Sequence, residues 1–210
     1  MLYTFINIVA SLAIKLFFNE VTIQNRKKVP QNSPVIFVAN HPNFFMDPLI
    51  VGSCCPRILH FFAKSTIFSS RFINPILDKL NLIPIYRKID DEANMGKNVH
   101  SFIKGYEILE KNGAFLIFPE GISMGRRVLE KIKTGAARIG LEAEARNDFG
   151  LNCCIIPIGI SYSDLVRFKS DIMVRFGEPI FLKNFQKEYS SGEKQTVKRL
   201  TVEIEHALNK

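Results

Sequence analysis

The chain has 210 residues, 47% of them hydrophobic, with 18 Phe and no Trp, which suits one domain with a sizeable core and excludes a disordered chain. Its formal net charge of +8, from 28 basic against 20 acidic side chains, points to an anionic partner. Zinc-finger spacing, an arginine-rich tail and an aromatic–basic RNA-binding signature are all missing, so anionic lipid headgroups are favoured over nucleic acid.

Residues 1–18 are largely apolar, with polar residues at Asn7, Ser11, Lys15 and Asn19. A spacing of four draws one stripe along a helix. The run is too short and too striped to span a bilayer, so the expectation is a helix lying in the membrane interface. A helix packed on the domain core fits the same pattern. No basic residue precedes the run and no A-x-A site follows it, which argues against a cleaved signal peptide. Arg26, Lys27 and Lys28 follow soon after, placed to meet headgroups.

Pro30 to Pro34 reads as a loop, and the apolar run Val35–Ala39 as a buried strand. A helix is expected from Pro48 to Ser53, a strand from Ile58 to Ala63, and a helix from Thr66 to Leu80. Leu82 to Tyr86 reads as a short strand ending at Arg87. Asp90 to Lys111 has the pattern of a long amphipathic helix, stopped by Asn112-Gly113. Ala114 to Phe118 is a strand broken by Pro119-Glu120-Gly121, and Lys133 to Arg146 a helix. Cys154–Ile160 and Ile172–Phe176 read as strands, and Lys194–Leu208 as the closing helix. This alternation gives an α/β class: a single domain with a mostly parallel or mixed central sheet flanked by helices. The chain has no internal repeat, low-complexity tract or linker. The adjacent pairs Cys54-Cys55 and Cys153-Cys154 lack metal-knuckle spacing and read as buried thiols.

Active residues of such a sheet gather at strand ends. His41 and Asp47 follow the first buried strand, where a turn brings the carboxylate onto the imidazole. That is the base and orienter of a Ser-His-Asp device without its nucleophile, which leaves the hydroxyl to the substrate. Transfer of an acyl group to an alcohol is the chemistry to look for. Arg87 suits a phosphate, or is a surface arginine beside Lys88. Glu120-Gly121 offers a close backbone approach and N–H groups for an oxyanion, or is an ordinary turn. Lys133 and Arg138, early in their helix, suit an anion, or form a solvated basic face.

Four segments in order resemble the glycerolipid acyltransferase superfamily, the glycerol-phosphate and lysophosphatidate acyltransferases. They are Asn40-His41…Asp47, Ile83-Pro-Ile-Tyr-Arg87, Phe118-Pro-Glu-Gly121 and Ile155-Ile-Pro-Ile-Gly159. Ala63-Lys64 and Val174–Pro179 are also similar to the family. Five residues separate His41 from Asp47 where the usual motif has four, as in a branch resembling glycerol-3-phosphate and dihydroxyacetone-phosphate enzymes. Ile122-Ser123-Met124 stands where the common motif continues Thr-Arg-Ser, leaving Arg126 or Arg127 to replace its arginine.

The resemblance implies an interfacial helix over 1–20 and an acyltransferase domain over 21–210. It implies a phospholipid-biosynthesis enzyme at the cytoplasmic face of a membrane. His41 and Asp47 are its catalytic pair, and Arg87, Glu120, Gly121, Ser123, Arg126 and Lys133 its substrate-binding set. Acyl-CoA or acyl-ACP serves as donor, with no metal or other cofactor. Lysophosphatidate ranks ahead of glycerol 3-phosphate as acceptor, and a transacylase using a phospholipid donor is a further enzyme reading. Two rivals remain: a noncatalytic lipid-binding protein on this scaffold, and a serine hydrolase using Gly121-Ile-Ser123-Met-Gly125 with His206.

Overall fold

The computed structural model describes residues 2–70, 72, 74–121, 125 and 129–209. Its strands are β1 (Glu20–Gln24), β2 (Val35–Ala39), β3 (His60–Lys64), β4 (Leu82–Ile85), β5 (Ala114–Ile117), β6 (Cys154–Tyr162), β7 (Asp171–Phe176) and β8 (Ile180–Phe181). The α-helices are α1 (Leu2–Phe17), α2 (Met46–Cys54), α3 (Asn74–Lys79), α4 (Lys88–Asp91), α5 (Asn98–Glu110), α6 (Gly135–Ala145), α7 (Gln186–Ser191) and α8 (Glu193–Leu208).

The strands form one mixed sheet in the order β1-β7-β6-β2-β5-β3-β4, with β8 pairing β6. From β6 to β4 neighbouring strands run parallel, and β7 turns antiparallel to β6. Central β2 explains its own sequence: all five residues are fully buried because both sheet faces are covered. Val35, Phe37 and Ala39 face one core layer, which holds Ile14, Phe18, Ile50 and Val51 of the α1 and α2 side. Ile36 and Val38 face the other, with Leu109, Ile139, Leu200 and Ile204 from α5, α6 and α8.

Two prolines sit in strands without breaking them. Pro84 lies on edge strand β4, where its carbonyl accepts from Ser101 Oγ at 2.5 Å. The Pro157 carbonyl accepts from the Gly177 N–H at 2.8 Å, so it faces the gap where β8 gives way to β7 and no ladder donor is needed. A side chain at Gly177 would collide with Pro157 Cγ, its Cβ lying 2.8 Å away.

Several expected elements differ. β1, β8 and α7 are additional, and β6 continues to Tyr162. Thr66–Leu80 is not one helix: a 3-10 turn at Ser65–Phe68 precedes α3. Asp90–Lys111 is also divided, into α4, a 3-10 segment at Glu92–Lys97 and α5. At the start of α5, the Asn98 side chain bonds both the N–H and the carbonyl of Tyr86, each at 2.8 Å, and Gly96 just before it weakens a continuous helix. Helix α2 starts at Met46, so Asp47 lies inside its first turn, and α6 starts at Gly135, so Lys133 precedes it.

Helix α1 packs Ile14 into the core while Phe5, Ile8, Val9, Leu12 and Leu16 face outward, 49–71% exposed. The polar stripe is only partly at the solvent face: Asn7 and Ser11 are half-buried, whereas Lys15 and Asn19 are exposed. Among the described residues no helix is long and apolar enough to cross a membrane.

Candidate active site

The carboxyl ends of β2, β3, β4 and β5 point the same way, and the chain leaves each with a polar or charged side chain. Asn40 prolongs the β2–β6 pairing by one step beyond Ala39 and Ile158: its amide accepts from the Ile160 N–H at 2.7 Å and donates to the Ile160 carbonyl at 2.9 Å. His41 follows, and its own N–H donates to Glu120 Oε1 at 2.8 Å.

The His41 ring stacks on Phe118, with centroids 3.9 Å apart and planes 14° from parallel. Its Nδ1 lies 2.9 Å from Asp47 Oδ2, which also accepts the Asn43 N–H at 2.8 Å. Asp47 is fully buried, and its second oxygen accepts the Tyr162 hydroxyl at 2.5 Å. A buried carboxylate needs such partners to stay charged. Because Asp47 accepts, Nδ1 carries the imidazole proton and Nε2 keeps its lone pair. Burial first, and then the Asp47 charge, pushes the Tyr162 phenol far above its ordinary range, so it remains a donor.

His41 lines a cavity of about 890 Å³. One part is apolar, walled by Tyr3, Ile6 and Ala10 of α1, Leu49 and Gly52 of α2, and Phe61 of β3. Lys64, Arg87, Lys133 and Arg138 line the same space. The Lys64 ammonium lies over the Phe44 ring at 5.0 Å, and the Arg138 guanidinium over Phe102 at 5.4 Å. Arg87 donates from Nη1 to the Gly121 carbonyl and from Nε to Asp90. Gly121 has a φ of +71°, which favours glycine, and the flexible end of Lys133 lies against its Cα, with Nζ 2.5 Å from where a Cβ would be.

The cavity thus gathers His41, Arg87, Gly121 and Lys133, with Asp47 behind the imidazole. Glu120 stands apart. Its carboxylate accepts backbone N–H groups of His41 and Glu130, at 2.8 and 3.0 Å, so it ties the loop after β5 to the end of β2. The Gly121 N–H donates to the Phe118 carbonyl at 3.1 Å within a turn, so it is not directed at an oxyanion. Ser123 and Arg126 lie outside the described residues. His206 is in the last turn of α8 and is not among the residues lining the cavity. Among the described residues no three His, Cys, Asp or Glu side chains are grouped to hold a metal ion.

Sequence reasoning left Tyr162, Asn98 and the Lys64 ammonium out of the site. Two of the three end a strand, so the strand-end rule that selected His41 and Arg87 would have found them had β3 and β6 been drawn to their full lengths.

Residues 20–161 match the family described as Acyltransferase. Over 112 residues the chain is 31% identical to glycerol-3-phosphate O-acyltransferase 2 of Saccharomyces cerevisiae, a stretch covering 53% of this chain and 15% of that protein. It is 36% identical over 75 residues to glycerol-3-phosphate O-acyltransferase 1 of the same yeast, covering 36% of this chain and 10% of that protein. The chain thus matches a small part of the length of these relatives. Its fold is similar to the crystal structure of the 1-acyl-sn-glycerophosphate (LPA) acyltransferase of Thermotoga maritima, with a TM-score of 0.66 at 20% identity over 97% of this chain and 79% of that one. The family match takes in well over half of the sequence and includes His41, Asp47, Arg87 and Glu120; the chain belongs to the Acyltransferase family.

Proposed function

We propose that the protein moves a fatty acyl group from a thioester, acyl-CoA or acyl-ACP, to a hydroxyl of a glycerol-phosphate acceptor in phospholipid synthesis. The observation that carries this reading is the Tyr162–Asp47–His41 chain facing a cavity that has an apolar part and four cations. His41 Nε2 takes the proton of the acceptor hydroxyl as that oxygen attacks the thioester carbonyl. Asp47 holds the tautomer and offsets the imidazolium charge. Collapse of the tetrahedral intermediate breaks the C–S bond, and the imidazolium returns the proton to the departing thiolate. Arg87, Lys64 and Lys133 hold the acceptor phosphate, and the apolar part of the cavity takes the acyl chain.

The exposed apolar ridge of α1, on the opposite side from its cavity-lining residues, supports docking on a lipid surface, with the cytoplasmic face as the proposed side. Two acceptors fit. Lysophosphatidate is supported by the apolar cavity walled by α1 and by the likeness to the Thermotoga fold. Glycerol 3-phosphate is supported by the five-residue His–Asp spacing and the names of the two yeast relatives.

Thiol release from palmitoyl-CoA in detergent micelles, with each acceptor in turn, tests the proposal. Release that depends on one acceptor and falls about 10² to 10⁴-fold in His41→Ala is expected. Release without an acceptor would point to a hydrolase. No release with either acceptor, from CoA or ACP donors, would overturn the proposal in favour of a lipid-binding protein.

A further inference from the structure

Arg87, the residue assigned above to the acceptor phosphate, is already paired with a carboxylate of the chain itself. Arg87 lies two residues beyond β4, at the residue before the single turn α4, and three residues on, Asp90 turns its carboxylate back onto the Arg87 Nε. The turn is closed by the Asp90 N–H donating to the Arg87 carbonyl at 3.0 Å. The Arg87 hydrogen bond, more than any other cause, holds the Asp90 carboxyl below the usual carboxylate range; burial opposes it, and the charges of Arg87, Lys64 and Lys133 add smaller pulls in the same direction as the hydrogen bond. Arg87, Lys64 and Lys133 all line the cavity that His41 faces. One carboxylate therefore draws on three of the cations that an incoming phosphate would use.

We propose that Asp90 is an internal competitor for the acceptor phosphate: it occupies Arg87 in the empty site and swings away on its one-turn helix when a phosphate ester binds. This rests on the reading that Arg87 holds the acceptor phosphate. The consequence is selectivity by charge. A phosphate dianion outbids a carboxylate at a guanidinium fork, whereas an acceptor without phosphate gains nothing from Arg87 while Asp90 stays in place. The exchange also raises the apparent dissociation constant for every phosphate-bearing acceptor, since only the open fraction of molecules binds.

The test compares wild type with Asp90→Asn and Asp90→Glu. Two measurements are made: acyl transfer with glycerol 3-phosphate, lysophosphatidate and a phosphate-free monoacylglycerol, and calorimetric binding of glycerol 3-phosphate and inorganic phosphate. Asp90→Asn should lower KM for the phosphate-bearing acceptors and Kd for both ions by about threefold to tenfold, as expected for losing one partly exposed ion pair together with its repulsion of the ligand. Monoacylglycerol transfer should show no gain, and Asp90→Glu should return KM towards the wild-type value. An unchanged or raised KM and Kd in Asp90→Asn would overturn the proposal and make Asp90 a support that orients Arg87. If wild type transfers to no acceptor yet Asp90→Asn binds phosphate more tightly, the competitor stands and the acyltransferase reading falls. If transfer is robust but neither ion responds to the substitution, the reverse holds. No binding and no transfer in any of the three proteins would overturn both.

Discussion

Asp47→Asn separates two roles that a carboxylate behind a histidine plays at once. Asp47 Oδ2 receives two donors, His41 Nδ1–H and the backbone N–H of Asn43. A backbone N–H cannot accept, so the oxygen of an asparagine is forced into that place and its nitrogen turns to Tyr162, whose hydroxyl rotates to accept. The imidazole then keeps its proton on Nδ1, and only the negative charge is lost. At about 4 Å and an effective dielectric of about 20, the attraction between imidazolium and carboxylate is about 4 kcal/mol, nearly a thousandfold in rate. The expected fall in kcat is therefore about 10² to 10³, short of the ~10⁴ that accompanies a wrong tautomer. Single-turnover transfer from palmitoyl-CoA measures it. Tyr162→Phe provides the companion: it removes one hydrogen bond to a buried charge, about 1.5–3 kcal/mol. That should lower Tm by roughly 3–12 °C in a domain of this size while leaving the Asp47 carboxylate, which only accepts, to fix the tautomer. A loss of 10⁴ or more in Asp47→Asn would show that the backbone donor does not enforce the orientation. A loss below tenfold would show that the charge does no catalytic work.

Three further predictions follow from the walls and faces of the same molecule. Gly52 lines the cavity and a Cβ on it would lie 3.3 Å from the Phe61 ring, so Gly52→Leu should shorten the acyl channel. Each methylene kept out forfeits about 0.8 kcal/mol, and two give more than a tenfold loss of kcat/KM for palmitoyl-CoA relative to decanoyl-CoA; equal losses for both donors would place the chain elsewhere. All four cysteines are buried, with Cys55 and Cys154 pushed up to about 12 by burial and Cys54 and Cys153 also raised. Iodoacetamide at pH 8 should label the folded protein at none of them and the denatured protein at all four, and mass spectrometry of the native sample would expose a reactive thiol. Leu12 and Leu16 are 58% and 71% exposed, so Leu12→Glu with Leu16→Glu should leave the thermal transition in place while weakening sedimentation with anionic vesicles more than tenfold. Undiminished binding would remove α1 from the membrane-facing surface.

The fold was legible wherever burial on both sheet faces wrote a continuous apolar run. Val35–Ala39, Ala114–Ile117 and Cys154–Ile158 are such runs, and all three lie inside the parallel part of the sheet. β1 was illegible for the opposite reason. Its Glu-Val-Thr-Ile-Gln sequence is short, lies at the sheet edge and is only partly buried, so its signal is a brief alternation that the preceding apolar helix masks. The split of Asp90–Lys111 was hidden because the amphipathic period continues through it. At the break stand Gly96 and an Asn98 side chain that bonds to a residue 12 positions earlier.

The site divides along the same line. His41 and Asp47 are six positions apart and Arg87 follows a strand, so local spacing and strand ends were enough to find them. Their supports come from far along the chain: Glu120 reaches His41 across 79 residues, Tyr162 reaches Asp47 across 115, and Asn40 reaches Ile160 across 120. Only the closed sheet brings these together, and no spacing rule encodes them. The same limit applies to Glu120, expected among the substrate-binding residues and found bonded to backbone instead of lining the cavity. A carboxylate beside a glycine at a strand end looks the same in sequence whether it faces the cavity or the neighbouring strand, and here both oxygens are taken by backbone N–H groups. His41, the proposed base, is thus held through its ring by Asp47 and through its backbone N–H by Glu120, with Phe118 stacked on the ring. Arg87, by contrast, holds one carbonyl and one carboxylate of its own neighbourhood, partners that a phosphate can replace. The proposed mechanism calls for that asymmetry: a fixed proton acceptor, and an anion grip whose partners an incoming phosphate displaces.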